Sequence, residues 1–211
     1  KEKLKNGLAK KTTHQLGTPL SSLIGWNEYI RSKEKIDKKY ISKEIEKDLI
    51  RLKIITDRFS GIGSKPILKK KNLKKIITNN IDYLKKRVSS EIKTSLNLKE
   101  INYEINEQLF GWVIENLYKN SVDAIGKNGD IIINLFEENN KIIVEFSDTG
   151  QGMKKTEFKK IFNPGYTTKT RGWGLGLALA YRIISDYHKG IIYVKESIKN
   201  IKTTIRIELK K

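Results

Sequence analysis

Leu4, Leu8, Leu16, Leu20, Leu23, Ile24 and Ile30 recur mostly three or four positions apart, and after a polar break over residues 32–39 a second such series begins: Ile41, Ile45, Leu49, Leu52, Ile55, Phe59 and Ile62. That spacing puts the apolar side chains of each segment on one helical stripe. Two stripes joined by a short polar turn predict an antiparallel helical hairpin with a coiled-coil-like seam. Two helices alone bury too little apolar surface, so a second copy completing a four-helix bundle is expected. Gly61, Gly63, Ser64 and Pro66 then punctuate the chain as a linker. The first domain is therefore expected to span residues 1–63 and a second to span 64–211.

Past the linker the period changes. A helix is predicted over 72–88, a strand over 92–98 and a long helix over 106–125. Two β-rich runs, 130–136 and 141–147, flank Glu137-Glu138-Asn139-Asn140, which reads as a hairpin turn. A helix is predicted from about 174 to 188, and strands over 191–195 and 203–209 close the sequence. Strands and helices are partly segregated here, which favours a mixed sheet with helices on one face. The class is therefore α+β.

The 211 residues carry 43 Lys and Arg against 24 Asp and Glu, a net charge of +19. So basic a chain invites nucleic acid as a partner. The lysines are scattered along the whole chain, however, with no arginine–aromatic interleaving and no recognition-helix signature. Nucleic acid is not expected, while attraction to a phosphate-rich ligand or an acidic protein is. No apolar run approaches the roughly 20 residues of a membrane-spanning helix, so this stretch is expected to make no membrane contact of its own. The absence of cysteine removes disulfides and thiolate metal sites and fits a reducing compartment. Lys1 opens a charged, helix-prone stretch, as expected of a piece of a longer protein.

The residues that carry chemistry cluster in the second domain. Asp148-Thr149-Gly150-Gln151-Gly152-Met153 follows a predicted strand, and Gly172-Trp173-Gly174-Leu175-Gly176-Leu177 precedes a predicted helix. Glycines at alternate positions let backbone amides approach a ligand, and a helix start favours phosphate. Either motif alone is equally compatible with ordinary turns. Asn116 and Asn120, four apart in Glu115-Asn116-Leu117-Tyr118-Lys119-Asn120, share one face of the long helix. Amide carbonyls are hard oxygen donors suited to Mg²⁺, although a polar outer helix face would use the same residues.

In this order the motifs resemble the ATP-binding domain shared by histidine kinases, gyrase-type topoisomerases, Hsp90 chaperones and mismatch-repair ATPases. The resemblance runs from Pro66 to the C-terminus and implies an α/β sandwich of Bergerat type that binds ATP and Mg²⁺. It implies that Asn116 and Asn120 form an asparagine box with Asn120 as the Mg²⁺ ligand. Asp148 would accept a hydrogen bond from the adenine amino group, with Gly150 and Gly152 lining the pocket. Phe162 matches the phenylalanine that opens a mobile lid, Lys169 a phosphate contact, and Gly172, Gly174, Gly176 and Leu177 the second glycine box. Thr203 corresponds to a threonine beside the adenine, although Lys202 stands where a glycine is usual and Ile205 where an aromatic is.

Hydrolytic branches of that superfamily carry a glutamate four residues before the Mg²⁺-binding asparagine, where it activates water. Here that residue is Asn116, which cannot act as a base. Glu115 lies about 100° round the helix. The site thus reads as one that holds ATP without hydrolysing it.

Thr13-His14-Gln15-Leu16-Gly17-Thr18-Pro19-Leu20 resembles the histidine box of the kinases' dimerisation and phosphotransfer domain. It implies autophosphorylation of His14, whose neutral imidazole is nucleophilic near its ordinary pKa of about 6.5, and transfer to an aspartate of a response regulator receiver domain. It further implies a homodimer, an upstream sensor region outside this chain, and a cytoplasmic location, whether free or as the cytoplasmic part of a membrane-anchored sensor. The family usually has an acid directly after the histidine to orient the ring and take its proton; Gln15 hydrogen-bonds but takes no proton. That departure leaves a second reading open, an ATP-binding pseudokinase scaffold that signals by conformation. Thr18 matches the residue that holds water for dephosphorylating the regulator. His188, the other histidine, reads as structural.

Overall fold

The computed structural model describes residues 20–32, 37–38, 40–46, 48–49, 66–169, 174 and 176–211. The chain divides into two units, Lys1–Lys65 and Pro66–Lys211.

In the first unit, residues 20–32 are helical, as are 38, 40–46 and 48–49. Asp37 starts the second of these segments: its Oδ1 accepts from the amide of Tyr40 at 3.0 Å, satisfying a donor that the helix start leaves unpaired. The Trp26 ring meets Tyr40 edge-on at 6.1 Å between centroids. Leu20, Ile24, Tyr29 and Leu49 are exposed. His14, Gln15, Thr18 and residues 61–65 of the expected linker lie outside the described residues.

The second unit runs β1 (Lys69–Asn72), α1 (Leu73–Lys85), β2 (Ile92–Leu98), β3 (Asn102–Ile105), α2 (Glu107–Ile125), β4 (Gly129–Glu138) and β5 (Lys141–Asp148). Two 3₁₀ turns follow, Lys155–Glu157 and Lys160–Phe162. Next come α3 (Gly176–Arg182), a π turn (Ile183–Tyr187), β6 (Ile191–Ile198) and β7 (Lys202–Lys210). Strands β2-β4-β5-β7-β6 form one mixed sheet in that order, parallel between β2 and β4 and antiparallel elsewhere, while β1 and β3 form a separate antiparallel ribbon. The expectation of a mixed sheet with helices holds.

Residues 72 and 106 do not belong to the helices but cap them. Asn72 Oδ1 accepts from Lys75 N at 3.0 Å, and Asn106 Oδ1 from Leu109 N at 3.1 Å. Asn139 and Asn140 form the β4–β5 turn, with φ of 49° and 57°. Two successive positive φ values match the twist of the flanking strands, and asparagine tolerates them better than most residues. Ribbon β1–β3 has no counterpart in the sequence reading, because Lys69-Lys70-Lys71-Asn72 shows no apolar alternation. Its register, Lys69 opposite Ile105 to Asn72 opposite Asn102, is set by its partner strand. The helix after the second glycine box differs too. It starts at Gly176 and ends in the π turn, where His188 N reaches Ile183 O five residues back at 3.2 Å.

The two sheet faces differ in chemistry. Ile131, Ile133, Leu135, Ile142, Val144, Phe146, Ile205, Ile207 and Leu209 form a buried core with Leu73, Ile77, Ile81, Phe110, Ile114 and Leu117 of the helices. At about 25 cal/mol per Å² of apolar area removed from water, this layer supplies the main drive to fold. The opposite face carries polar pairs. Glu145 accepts from Lys195 at 2.8 Å and from Arg206 at 2.7 Å, and Glu208 accepts from Lys141 and Tyr193, each at 2.7 Å. Burial raises the Glu145 pKa, but its two cationic partners outweigh this and hold the carboxyl below the usual range. Between Val194 and Glu196 the β6–β7 register slips, leaving a bulge on the outer strand. No helix among the described residues is long and apolar enough to cross a membrane.

Candidate functional site

The apolar rows of β4, β5 and β7 end in polar residues. Ile133, Phe146 and Ile205 line up across the three strands, and the next row toward that end of the sheet is Ile131, Asp148 and Thr203. Strand alternation therefore turns Asp148 and Thr203 toward the helical layer. Both are buried. Asp148 Oδ2 accepts from Ser121 Oγ of α2 at 2.9 Å, and Oδ1 accepts from Gly150 N at 3.0 Å. Burial raises the Asp148 pKa above its ordinary value, with those two hydrogen bonds acting the other way. A carboxylate has about four lone-pair positions, so this one retains acceptor capacity for a ligand donor. Thr203 Oγ1 pairs with Ser197 Oγ at 2.9 Å, and Ser197 Oγ accepts from Met153 N at 2.9 Å. Thr203 is thus tied to the loop after Asp148 as well as to its neighbour strand.

Helix α2 is the spine on which the loops converge. Its C-terminal half meets three segments in turn. Gly176 lies over Asn116, close enough that a Cβ there would sit 2.6 Å from Asn116 Oδ1. Asn116 Nδ2 is held by Trp112 O at 2.8 Å, which fixes the amide orientation. Lys169 Nζ donates to Asn120 Oδ1 at 3.1 Å and pairs with Asp123. Gly150 rests on Ala124, where an added Cβ would come 2.6 Å from the backbone carbon, and Gln151 N donates to Ala124 O at 3.0 Å. Only a residue without a side chain allows either approach. Gly152 lies against the backbone of Ile198 and Lys199, and Asn200 N closes that loop on Gln151 O at 3.0 Å.

The segment between the glycine motifs is pinned at both ends. Tyr166 Oη donates to Glu157 at 2.6 Å, and Gly165 N donates to Gly174 O at 2.9 Å. Phe162 packs on the core beside Tyr181, with ring centroids 5.8 Å apart. Leu177 also packs against the core. Gly172 lies outside the described residues.

Several sequence-derived residues therefore meet: Asn116 with Gly176, Asn120 with Lys169, and Asp148 with Gly150. Glu115 instead pairs with Lys119 one turn along. Ser121, Asp123 and Ser197 were not singled out in the sequence. Asp123 could have been, since it lies three positions after Asn120 and shares its face. Ser121 and Ser197 act across 27 and 44 positions, and spacing gives no sign of that.

His188 is remote in role from these groups. Its Nε2 accepts from Asn106 N at 3.1 Å, and its Nδ1 lies 3.0 Å from Ile183 O. The neutral ring protonated on Nδ1 satisfies both contacts. Burial lowers its pKa and keeps it in that form.

The Lys169 ammonium already stands on Asn120 Oδ1, so that oxygen is turned to receive a cation. Among the described residues no group of three or more His, Cys, Asp or Glu converges on a metal position. A hard cation here would rest on Asn120, water and ligand phosphates, a donor set suited to Mg²⁺.

A family model described as histidine kinase-, DNA gyrase B- and HSP90-like ATPase matches residues 105–211. Sensor histidine kinase ZraS of Salmonella typhi is 30% identical over 196 residues, which cover 89% of this chain and 42% of that protein. The chain spans less than half the length of the curated relatives it matches. The nucleotide-free catalytic domain of histidine kinase ThkA is 26% identical with a TM-score of 0.61, covering 68% of this chain and 95% of that one. ThkA in complex with the response regulator protein TrrA, 21% identical with a TM-score of 0.61, covers 96% of this chain and 61% of that one and bears on the fold.

Proposed function

The chain belongs to the family of histidine kinase-, DNA gyrase B- and HSP90-like ATPases, and from that premise we propose that it is the catalytic core of a sensor histidine kinase. One observation carries the reading. A single helix face gathers Asn116, Asn120 and the loops of both glycine motifs beside a buried Asp148. Asp148 accepts the adenine amino group through its remaining lone pairs, with Thr203 beside it on the next strand. Gly150 and Gly152 line the pocket, the first drawn against α2 and the second against Ile198 and Lys199 by their lack of side chains. Asn116, Asn120 and Lys169 serve the phosphates, and Gly172, Gly174, Gly176 and Leu177 are assigned to the same end of the nucleotide. Mg²⁺, held by Asn120, supplies neutralisation of phosphate charge when bound.

The residues at the position of a water-activating base favour transfer over hydrolysis. Asn116 has no basic group, and the Glu115 carboxylate is engaged by Lys119. The γ-phosphoryl of ATP passes to a ring nitrogen of His14 as ADP leaves. It passes next to an aspartate of a response regulator, the kind of partner seen with ThkA. Transfer of this type depends on positioning and charge neutralisation more than on covalent help from the protein. Residues 1–63 act as the dimerisation and phosphotransfer hairpin, and residues 64–211 as the ATP-binding domain. Exposed Leu20 and Ile24, one helical turn apart, support a second copy as the cover for that stripe. The chain works in the cytoplasm, controlled by an upstream sensor region, and Thr18 assists in dephosphorylating the regulator.

Gln15, which cannot take the proton from His14, favours one alternative: a dimeric ATP-binding scaffold. Incubation with γ-labelled ATP and Mg²⁺ separates the two. Acid-labile, base-stable label on the wild type and none on His14→Ala is the expected result. Intact ATP binding without label would replace the kinase by the scaffold, and rapid release of free phosphate without phosphoprotein would point to an ATPase.

A further inference from the structure

Asp123 stands three positions after Asn120 on α2, so the two side chains project from one face about a turn apart. The Lys169 ammonium bridges them, donating to Asn120 Oδ1 at 3.1 Å and pairing with the Asp123 carboxylate. It therefore occupies the oxygen assigned above to the divalent cation. A divalent cation at that oxygen would meet strong like-charge repulsion from the ammonium at such short range. Either the metal takes Asn120 or Lys169 does. The Lys169 and Asp123 side chains are 40% and 51% exposed. An ion pair so exposed is weak, and an arriving phosphate can displace it.

We propose that Asp123 is a positioning residue that holds Lys169 back from the phosphates, so that nucleotide binding must first break an ion pair. It keeps Lys169 on Asn120, and an arriving phosphate competes with a carboxylate for the lysine. A divalent cation at Asn120 would favour release of the lysine, since both claim Asn120 Oδ1. The proposal rests on the ATP-site reading given above, and adds to it a role for a carboxylate to which that reading gave no part.

The test measures ADP affinity by calorimetry with Mg²⁺ and with a chelator. ADP carries no transferable γ-phosphoryl, so the result does not depend on His14. Asp123→Asn is expected to tighten Mg²⁺·ADP binding by about threefold, the scale of a half-exposed ion pair, and metal-free binding by no more than that. Asp123→Glu keeps the wild-type affinity, which a merely structural role would not require. In a Lys169→Met background, Asp123→Asn has no further effect. An unchanged Mg²⁺·ADP affinity in Asp123→Asn, or an effect that persists without Lys169, overturns the proposal while leaving the nucleotide site intact. A wild type that binds ADP under neither condition overturns the site reading, and this proposal with it.

Discussion

The first half of α2 places Leu109, Phe110, Val113 and Ile114 in the core, all nearly inaccessible to solvent. Its start is tied down twice: Asn106 Oδ1 accepts from Leu109 N, and the amide of Asn106, the cap itself, donates to the distant His188. The second half turns Asn116, Asn120, Asp123 and Ala124 to loops that begin or end at glycines. One half is held by dry packing and a neutral imidazole. The other keeps Leu117, Tyr118 and Ser121 buried on one side and offers amides and a carboxylate on the other. A helix is stiff over these 19 residues, so the packed half sets the position of the polar half. Stability and ligand affinity should therefore respond to different residues of the same element.

The hardest test of that separation is Phe110→Ala. Removing a fully buried aromatic costs about 3–5 kcal/mol of folding free energy, read as a lower urea midpoint. Nucleotide affinity of the fraction still folded should change little; a comparable loss of affinity would mean that the two halves are not separable. Asn120→Ala should do the reverse. Mg²⁺-dependent nucleotide binding should fall at least about tenfold, the lower bound for losing even a supporting group of a metal site. The urea midpoint should move by no more than the equivalent of about 0.5 kcal/mol. A large fall in stability would place Asn120 with the packed half.

The smallest effect sharpens the packed end. His188 titrates below its ordinary 6.5 because it is buried. Its contribution is therefore fully present above 6.5 and is lost as the pH falls from there through the folded value, when protonation of Nε2 removes the acceptor for Asn106 N. A single hydrogen bond of this kind is worth about 1 kcal/mol. Glu145 and Glu208, held below their ordinary 4.5, lose their share only further down. Stability of the wild type should thus decline as the pH falls below about 6.5, before those carboxylates titrate, and His188→Phe should be flat across that interval. A flat wild-type curve there would show that the imidazole does not secure the end of α2.

Much of this arrangement was legible in the residues. Strand β2 has the expected ends, and α2 differs by one residue because Asn106 caps rather than joins it. These elements follow local rules of period and capping, which a sequence states directly. Strand β1 was not legible, since Lys69-Lys70-Lys71-Asn72 becomes a strand only by pairing with β3. The π turn escaped for a similar reason: the bond from His188 N to Ile183 O adds one residue to a helix whose pattern looks ordinary. At the site, Asn116, Asn120 and Asp148 were read from motif order, whereas the Ser121 contact to Asp148 depends on how α2 lies on the sheet. Lys169 was expected on phosphate from its motif, but motif order gave no sign of its contacts within the chain, to Asn120 and Asp123, an acceptor pair that offers it charge neutralisation.

Strand β6 is an outer strand of the five, and an outer strand shows a row of unpaired amides and carbonyls that a foreign strand could extend. The register slip between Val194 and Glu196 breaks that row midway and twists it. Lys195, at the slip, bonds inward to Glu145 at 2.8 Å, so the bulge is locked by an ion pair on the open face. A chain with an excess of lysine and a polar outer face is thereby also given an irregular rim, and strand-by-strand growth from one molecule to the next loses its template.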